Sequence, residues 1–394
     1  MRVRRVAVGM LGTAGALVGL VVVGGGWVYA GQLLPAPMRD RTLDITATLT
    51  GRGTVLLPPV RQACAERFGL LLQGGSFLIY SGPIIAGSCA DDPESQAVVE
   101  RTVEAVVEGD PPIGRTIPAR FDVYVLDGDP SRVGLAFAEV DVPLEDGLGT
   151  APAWLVEGAR PETVIIVHGR SGTRGESLRI LPAIVEAGYT AMVITHRNDR
   201  DGGPDTDDAV GRFGQDEWPD LRAAIAVARD RGAPRIVLMG FSQGASVISY
   251  HLRRAGDPGA ITEDIAGVVF DSPLLSLRDT LVQQARLRDI PDPMIPPVLL
   301  GTGMVARLRA GFDVGDVEHV DALTDLEVPM LLLHGDADDF VPIQPTDDLA
   351  EARHAAGRDT TYERIEGAGH VEGYNADAAR YTAAITGFLA RVMP

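Results

Sequence analysis

One serine lies in a local pattern that could make its hydroxyl a nucleophile. Ser242 is the centre of Gly240-Phe241-Ser242-Gln243-Gly244. This pentapeptide follows the apolar run Arg235 to Met239, which has the composition of a buried strand, and precedes a helical pattern that begins near Ala245. A tight turn from strand to helix lifts the serine hydroxyl above the sheet, and it needs glycines on either side because side chains there would clash. We therefore predict that Ser242 is a nucleophile.

A serine hydroxyl is a weak nucleophile, so this prediction requires a histidine base. On such a turn the acid and then the histidine follow the serine along the chain. The sequence has seven histidines, and only His354 and His370 come after the acidic stretch that ends at Asp339. His354 lies in a charged helical pattern typical of a surface, whereas His370 ends the glycine-rich run Gly367 to His370, which could bring the ring over Ser242. We predict that His370 is the general base.

The carboxylate that would orient this histidine is expected at the end of a strand. Asp338 closes the stretch His334-Gly335-Asp336-Ala337-Asp338, which follows the apolar run Val328 to Leu333. A loop in this position would reach the edge of the sheet where the serine turn lies. We predict that Asp338 is the acid, with Asp336 and Asp339 as the alternatives. In so acidic a chain, a solvated acidic loop would also explain all three residues.

A second glycine-rich turn could supply hydrogen-bond donors to the reaction. The run Val164 to Val167 is followed by His168-Gly169-Arg170-Ser171-Gly172, and such turns expose backbone N–H groups. We predict that the N–H groups of Arg170 and Gln243 form an oxyanion hole, a device whose loss typically costs about 2.7 to 4 kcal/mol of transition-state stabilisation. The alternative is an ordinary left-handed turn, and His168 itself is expected to be structural.

Apolar, β-branched runs alternate with amphipathic helical patterns through the C-terminal half of the chain. This alternation predicts an α/β fold with a mostly parallel central sheet and helices on both faces. The expected strands are Thr163 to Val167, Thr190 to Thr195, Arg235 to Met239, Ile265 to Phe270, Val328 to Leu333 and Thr360 to Ile365. The expected helices are Glu176 to Ala187, Glu217 to Arg231, Ala245 to Arg254, Pro345 to Ala356 and Asp377 to Val392.

Three regions are expected along the chain. Residues 1–31 form an N-terminal transmembrane anchor or signal segment, residues 32–120 an accessory region of unknown role, and residues 121–394 the catalytic domain. Within the accessory region, Leu43 to Leu49 alternates like a strand and Pro93 to Val107 has helical spacing. Residues 271–327 form an insertion that either acts as a lid over an apolar pocket or merely covers the sheet.

The N-terminal segment has the composition of a membrane span. Arg2, Arg4 and Arg5 precede the apolar run Val6 to Ala30, and no charged residue follows until Arg39. At about 1.5 Å per residue this run can cross roughly 30 Å of hydrocarbon, and the arginines favour a cytoplasmic N-terminus. We expect a membrane anchor with the catalytic domain outside the cytoplasm. The alternative is a protein secreted after a signal is cleaved near the end of this run.

The two cysteines bear on the same question of compartment. Cys64 and Cys89 both follow the apolar segment, and outside the cytoplasm they could form a disulfide. Two unpaired buried thiols are the alternative, because pairing depends on a distance that the sequence does not contain.

The charge composition excludes several classes of function. All 35 basic residues are arginine, and without lysine the chain can form neither a Schiff base nor a Walker-A phosphate loop. The formal net charge of -19 would repel a phosphate backbone, so we expect no nucleic-acid partner. There is no cysteine–histidine cluster in the sequence to hold a metal, and the predicted triad needs no cofactor. The sequence does not indicate an oligomeric state.

From roughly Val133 to the C-terminus the sequence resembles the α/β-hydrolase superfamily, in particular membrane-associated, esterase-like members of the prolyl-oligopeptidase/BEM46-like group. The resemblance implies an α/β-hydrolase fold and a serine hydrolase. The pentapeptide Gly240 to Gly244, the nucleophile elbow of this family, is similar in sequence to that of carboxylesterases and acyl thioesterases. The resemblance is carried by the His168-Gly169 turn, the Gly240 to Gly244 elbow, the stretch His334 to Pro342 and the histidine loop Gly367 to Asn375.

The expected reaction is hydrolysis of a small-molecule or lipid-like acyl ester through an acyl-enzyme intermediate. An acyltransferase would use the same triad with an alcohol in place of water, and a serine peptidase would cleave amide bonds. A non-enzymatic binding module could retain the fold without activity. The substrate itself depends on the shape of the pocket, which the sequence does not describe.

Overall fold

Two separate sheets organise the computed structural model, which describes residues 21–35, 42–87, 98–126, 128–145, 147–199, 201–254 and 264–394. The first six strands, β1 to β6, close into a barrel, and they are Ile45–Leu49, Thr54–Leu57, Phe68–Leu72, Phe77–Ala86, Val99–Glu108 and Thr116–Asp122. The next eight, β7 to β14, form an open sheet, and they are Ala138–Pro143, Thr150–Val156, Thr163–Val167, Thr190–Ile194, Ile236–Phe241, Ile265–Asp271, Met330–Gly335 and Thr360–Ile365.

The α-helices of the described residues surround the open sheet, apart from one short helix in the barrel. Numbered α1 to α11, they are Gly26–Leu33, Arg61–Cys64, Leu181–Glu186, Trp218–Asp230, Gln243–Leu252, Leu277–Arg286, Ile295–Ala310, Val320–Thr324, Gln344–Ala355, Gly373–Ala376 and Ala378–Val392.

The open sheet has the strand order β14-β13-β12-β11-β9-β10-β8-β7. Strands β9 to β14 are parallel, and β7 and β8 add an antiparallel edge. Every residue of β9, β11, β12 and β13 is buried, because helices cover both faces. Successive side chains alternate, so Ile165 and Ile166 join hydrophobic clusters on opposite faces. The predicted α/β architecture is confirmed.

Parallel strands carry their following loops to one common edge of the sheet. The loops after β9, β11, β13 and β14 contain Gly169, Ser242, Asp338 and His370 respectively. These four positions lie far apart in the sequence, and the strand order β14-β13-β12-β11-β9 brings them to neighbouring places at this edge. The sheet is therefore the element that assembles the site.

Two expectations about local structure are wrong. The spacing in Pro93 to Val107 predicts a helix, but residues 99–108 form β5, which pairs with β2 and β4 and closes the barrel; residues 93–97 lie outside the described residues. The single helix expected over Glu176 to Ala187 is a 3₁₀ turn, Arg174–Arg179, followed by the short α3. Pro182 explains the break, because it has no N–H to continue a helix and is suited to a first turn.

A buried arginine fills the end of the barrel. Arg101 on β5 is 1% exposed, and its guanidinium donates to the carbonyls of Ala63, Ala65, Glu66 and Gly82 at 2.5 to 2.9 Å. Burial lowers its pKa, while the hydrogen bonds satisfy four carbonyls around α2 and β4 that would otherwise lack a partner. One side chain of β5 thus connects α2 and the residues after it to β4.

The N-terminal helix α1 packs closely on α7, which belongs to the insertion between β12 and β13. A Cβ atom on Gly26 would lie 2.3 Å from the carbonyl carbon of Gly301, and one on Gly301 would lie 1.8 Å from the carbonyl oxygen of Val22. Two helix backbones approach this closely only where neither carries a side chain. At the end of α1, Leu33 and Leu34 join a buried cluster with residues of the catalytic domain.

The predicted membrane segment, Val6 to Ala30, lies largely outside the described residues. Within the part of the chain that the structure describes, no helix combines the length and apolarity needed to cross a membrane. Residues 21–30 pack against α7. The predicted disulfide stays a prediction, because Cys89 also lies outside the described residues; Cys64, at the end of α2, is not a free thiol.

Gly301→Ala should detach α1 from α7, because the new methyl group would overlap the carbonyl of Val22. We expect amide hydrogens of α1 to exchange at least tenfold faster in this variant, which would correspond to about 1.4 kcal/mol of lost local stability. Gly303→Ala, in the same helix, is the matched control, since no atom lies within 4 Å of its Cβ position. Equal exchange rates in the two variants would contradict the close packing.

Candidate active site

The backbone at Ser242 holds the residue in a conformation that side chains rarely adopt. Ser242 connects β11 to α5 with φ 48° and ψ -111°, and its N–H donates to the carbonyl of Asp271 at 2.9 Å. A Cβ on Gly240 would lie 2.6 Å from the backbone nitrogen of Ala245, and one on Gly244 would lie 2.2 Å from the carbonyl oxygen of β9. The two glycines are therefore required by close approach of backbones, as the sequence pattern predicts.

The predicted triad residues lie within hydrogen-bond distance of one another. Nε2 of His370 is 2.9 Å from Oγ of Ser242, and Nδ1 of His370 is 2.8 Å from Oδ2 of Asp338. His370 is held by its neighbour Val371, whose N–H donates to Oγ of Ser272 at 3.0 Å and whose carbonyl accepts from Arg179 at 2.7 Å. The backbone next to the ring is consequently held by Ser272, which follows β12, and by Arg179 of the 3₁₀ turn after β9.

Asp338 is held as an ionised acceptor. Its Oδ1 accepts from the N–H groups of Phe340 and Val341 at 2.9 and 2.8 Å, and its Oδ2 is also 3.1 Å from Nε2 of His334. Burial alone would raise the pKa of Asp338, but the charge of His370 and the hydrogen bonds from both histidines lower it well below its usual value. The carboxylate can therefore orient His370 across the ordinary pH range.

The alternatives to these residues are engaged elsewhere. Oδ1 of Asp336 accepts from the N–H of Gly367 at 2.7 Å, which fixes the start of the histidine loop. Asp339 is exposed, and exposed His354 has Nε2 3.0 Å from the carbonyl of Thr360. None of these three side chains makes a hydrogen bond to Ser242 or His370 within the described residues.

His370 carries a raised pKa. Burial by itself would lower the pKa of the imidazole, but the adjacent carboxylate of Asp338, with further contributions from Glu176 and Asp271, raises it above its usual value. A more basic imidazole is better suited to accept the proton of a serine hydroxyl.

The predicted oxyanion donors lie on both sides of Ser242. Gln243 is the first residue of α5, and Arg170 follows Gly169, whose Cβ position is 3.1 Å from that of Ser242. Among the described residues, no acceptor engages the backbone N–H of either Arg170 or Gln243. The turn is fixed by Glu176, whose Oε2 accepts from the N–H of Gly169 at 2.7 Å. Both amides are therefore available to an oxyanion.

The side chain of Arg170 closes one side of the site. Its guanidinium donates to the carbonyls of Leu33 and Pro35 at 2.5 and 2.9 Å, and it stacks on the ring of Phe213 at 4.4 Å. Burial lowers its pKa to about 10. Arg170 thus links the chain that follows α1 to the edge of the sheet.

A buried cluster next to this turn has the donor set of a metal site but the hydrogen bonding of an ion pair. The carboxylate and ring atoms of His168, His196 and Asp199 lie within 4.8 Å of one another. Nε2 of His168 contacts Oδ2 of Asp199, and Nδ1 is 2.9 Å from the carbonyl of Gly169. Both partners are acceptors, so both nitrogens carry protons, and Asp199 helps to raise the pKa of His168 to about 9 against the effect of burial. His168 accordingly acts as a structural cation.

Among the residues that the structure describes, two cavities open onto Ser242. The smaller is about 150 Å³ and is lined mostly by apolar side chains, whereas the larger is about 580 Å³ and lies between the barrel and the sheet edge. The smaller cavity is lined by Tyr29, Gln32, Leu33, Arg170, Phe213, Ser242, Gln243, Leu274, Leu277, Thr280, Leu281, Gln284, Arg288, Phe340 and Val341.

Sequence reasoning missed the residues that support His370. Ser272 directly follows β12, so its place at a strand end was a usable signal. Arg61 of the barrel pairs with Glu372, and Glu372 accepts from the N–H of Gly369 at 3.0 Å. No local pattern around Arg61 indicates this role, because its partner lies in another domain.

Comparison with known proteins gives three findings. The sequence profile of the alpha/beta hydrolase family matches residues 164–384, more than half of the chain. The uncharacterized protein YqkD of Bacillus subtilis is 24% identical over 198 residues, which cover 49% of this chain and 60% of that protein, so the chain spans less than two thirds of this relative. The Pyrococcus furiosus esterase Pf2001 is similar in structure, with a TM-score of 0.54 and 19% identity over 68% of this chain and 95% of that one.

The matched region contains β10 to β14 and the positions of Arg170, Ser242, Asp338 and His370, while the barrel and α1 lie outside it. At 19% identity the likeness to the esterase shows the fold, and the family match agrees with a hydrolase in broad terms. The chain belongs to the alpha/beta hydrolase family.

Proposed function

We propose that this protein hydrolyses carboxylic esters with Ser242 as nucleophile, His370 as general base and Asp338 as the orienting acid. The observation that carries the proposal is the pair of distances at His370, 2.9 Å from Nε2 to the serine Oγ and 2.8 Å from Nδ1 to the carboxylate. A nucleophile, a base and an orienting group connected in this way form the arrangement needed for acyl transfer. Family membership supports the same conclusion.

In the proposed reaction His370 takes the proton of Ser242 as Oγ attacks the acyl carbon. The negative charge that develops on the carbonyl oxygen is stabilised by the N–H groups of Arg170 and Gln243. His370 then gives its proton to the alcohol oxygen as the C–O bond breaks, which leaves an acyl-enzyme. Water, deprotonated by the same histidine, attacks this acyl group and releases the acid. Asp338 stabilises the charged imidazole in both steps.

The N-terminal segment is proposed to remain attached as a membrane anchor, with the catalytic domain outside the cytoplasm. Tyr29, Gln32 and Leu33 of α1 line the smaller cavity, and the backbone after α1 binds Arg170. Cleavage near Ala30 would divide α1, remove Tyr29 from the lining of this cavity and separate Gln32 and Leu33 from the part of α1 that packs on α7. This contact favours a retained segment over the alternative of secretion after signal cleavage.

A fluorophosphonate probe tests the nucleophile. The wild-type protein should be labelled covalently, and Ser242→Ala should not, because the alanine has no hydroxyl to attack phosphorus. Ser249→Ala is the matched control: this serine lies on α5, the helix that follows Ser242, but its hydroxyl donates to the carbonyl of Ala245 at 2.7 Å, so the variant should retain labelling. Equal labelling of Ser242→Ala, read by mass spectrometry of the modified peptide, would refute the assignment.

The pH dependence of kcat/KM tests the histidine. Because His370 must be neutral to act as base and its pKa is raised, kcat/KM for an uncharged ester should rise with pH through a midpoint above about 6.5. Asp338→Asn should move this midpoint to lower pH, since it removes the main charge that raises the pKa, and should lower kcat by about 10⁴. A midpoint that is unchanged in Asp338→Asn would argue against the pairing.

Acyl-chain preference tests the smaller cavity. A cavity of about 150 Å³ can hold a group about the size of benzene, so kcat/KM should fall for acyl chains longer than about six carbons. Leu281→Ala on α6 should shift the optimum to longer chains, because it enlarges the wall that the insertion contributes. Leu287→Ala, at an exposed position just after α6, is the control and should leave the profile unchanged. The same profile in both variants would remove the insertion from the acyl site.

A further inference from the structure

The larger cavity at Ser242 has a wall made by the barrel. The barrel lines it on one side with the polar residues Thr42, Asp44, Gln62, Arg120 and Asp122 and with the apolar residues Ile45, Val60, Phe68 and Phe121. From the catalytic domain it is lined by Gly169, Arg170, Ser171, Glu176, Ser242, Phe340, His370, Val371 and Glu372. Its volume of about 580 Å³ is within the range of sites that bind drug-sized ligands.

His370 distinguishes the two cavities. It lines the larger cavity, while the lining of the smaller one includes Ser242 and Gln243 but not His370. In acyl transfer the histidine must protonate the departing alcohol oxygen, so the alcohol has to lie on the histidine side of the serine. The acyl group then occupies the smaller cavity, and the alcohol part of the ester occupies the larger one.

The barrel wall is held in register with His370. Arg61 pairs with Glu372, two residues after the catalytic histidine. The N–H of Arg67 donates to the carbonyl of Asn375 at 3.1 Å, and the side-chain amide of Asn375 donates back to the carbonyl of Arg67 at 3.0 Å. A substrate held by the barrel would therefore be held at a fixed place relative to the proton donor.

The charges of the larger cavity favour an uncharged, hydroxyl-rich alcohol. Four carboxylates line it beside the guanidinium groups of Arg120 and Arg170, and three of them already accept hydrogen bonds: Glu372 from Arg61 and Gly369, Glu176 from Gly169, and Asp122 from Tyr124. The cavity therefore offers little uncompensated charge to an anionic or a cationic alcohol. Hydroxyl groups can donate to carboxylates such as Asp44, and can both donate to and accept from Gln62. An apolar alcohol would form none of these hydrogen bonds.

We propose that the barrel is the alcohol-binding element of this enzyme, and that its substrates are esters of a short acyl group with a bulky, uncharged, hydroxyl-rich alcohol such as a glycoside. The inference rests on the proposed function. In the acylation step the bond from the acyl carbon to Ser242 forms, the bond to the alcohol oxygen breaks, and that oxygen leaves with the proton from His370. Water completes the hydrolysis, and no other reactant is required.

Three butyrate esters of different alcohols test the proposal on the full chain. Butyryl methyl glucoside, ethyl butyrate and butyrylcholine share one acyl group, so differences in kcat/KM report the alcohol alone. We expect the glucoside ester to be preferred by about tenfold or more over ethyl butyrate, which corresponds to one or two hydrogen bonds. A preference for butyrylcholine, or no preference at all, would overturn the assigned class of alcohol.

The double variant Gln62→Ala, Arg120→Ala tests whether the barrel makes this selection. The ratio of kcat/KM for the glucoside ester to that for ethyl butyrate should fall by about tenfold. Gln73→Ala, at an exposed barrel turn that does not line the cavity, is the matched control and should leave both values unchanged. Damage to the fold would lower both values of kcat/KM by the same factor and would therefore cancel in their ratio. An unchanged ratio in the double variant would thus show that the barrel does not bind the alcohol.

The result separates this inference from the proposed function. If all three esters are hydrolysed and Ser242 reacts with a fluorophosphonate, but the ratio is insensitive to the double variant, only the role of the barrel is wrong. If no ester is hydrolysed and Ser242 does not react, the proposed function fails as well.

Discussion

The hydrogen bond between His370 and Ser242 is the interaction on which the site depends, and the chain holds both of its ends under constraint. Ser242 adopts a positive φ of 48° between two glycines that neighbouring backbones approach closely, and Val371, directly after the histidine, also has a positive φ of 49°. Such conformations cost free energy and persist only where the surroundings fix them. Buried groups beneath the site, chiefly Ser272 and Arg179, provide that support through hydrogen bonds to Val371.

The barrel and the N-terminal helix complete a site that the family domain alone would leave open on two sides. The barrel reaches the histidine loop through Arg61 and forms one wall of the larger cavity. Helix α1 forms part of the smaller cavity and is fixed by Arg170. Both elements lie outside the region that matches the alpha/beta hydrolase family. Two of the elements that line these cavities are therefore additions to the common sheet, while α6 of the insertion, which also lines the smaller cavity, lies within the matched region.

Arginine performs the structural tasks of a buried cation throughout the molecule. Arg101 binds four carbonyls in the barrel, and Arg353, which is 0% exposed, binds the carbonyls of Leu323, Leu326 and Val328 beside β13. A guanidinium has five donors in a fixed plane, so one side chain can satisfy several carbonyls that a loop leaves without partners. In a chain without lysine, these arginines fix segments that connect strands.

The sequence by itself determined the strand–turn–helix around Ser242, the parallel sheet and the short choice of His370 and Asp338, because these follow from local spacing, from strand periodicity and from the order along the chain. It did not determine that residues 99–108 form a strand, since their pairing partners in β2 and β4 are distant in sequence. Nor did it indicate that Arg61 reaches Glu372, or that two cavities meet at Ser242. Contacts between separate domains and the volumes that they enclose depend on how whole elements pack, so only the tertiary structure decided them.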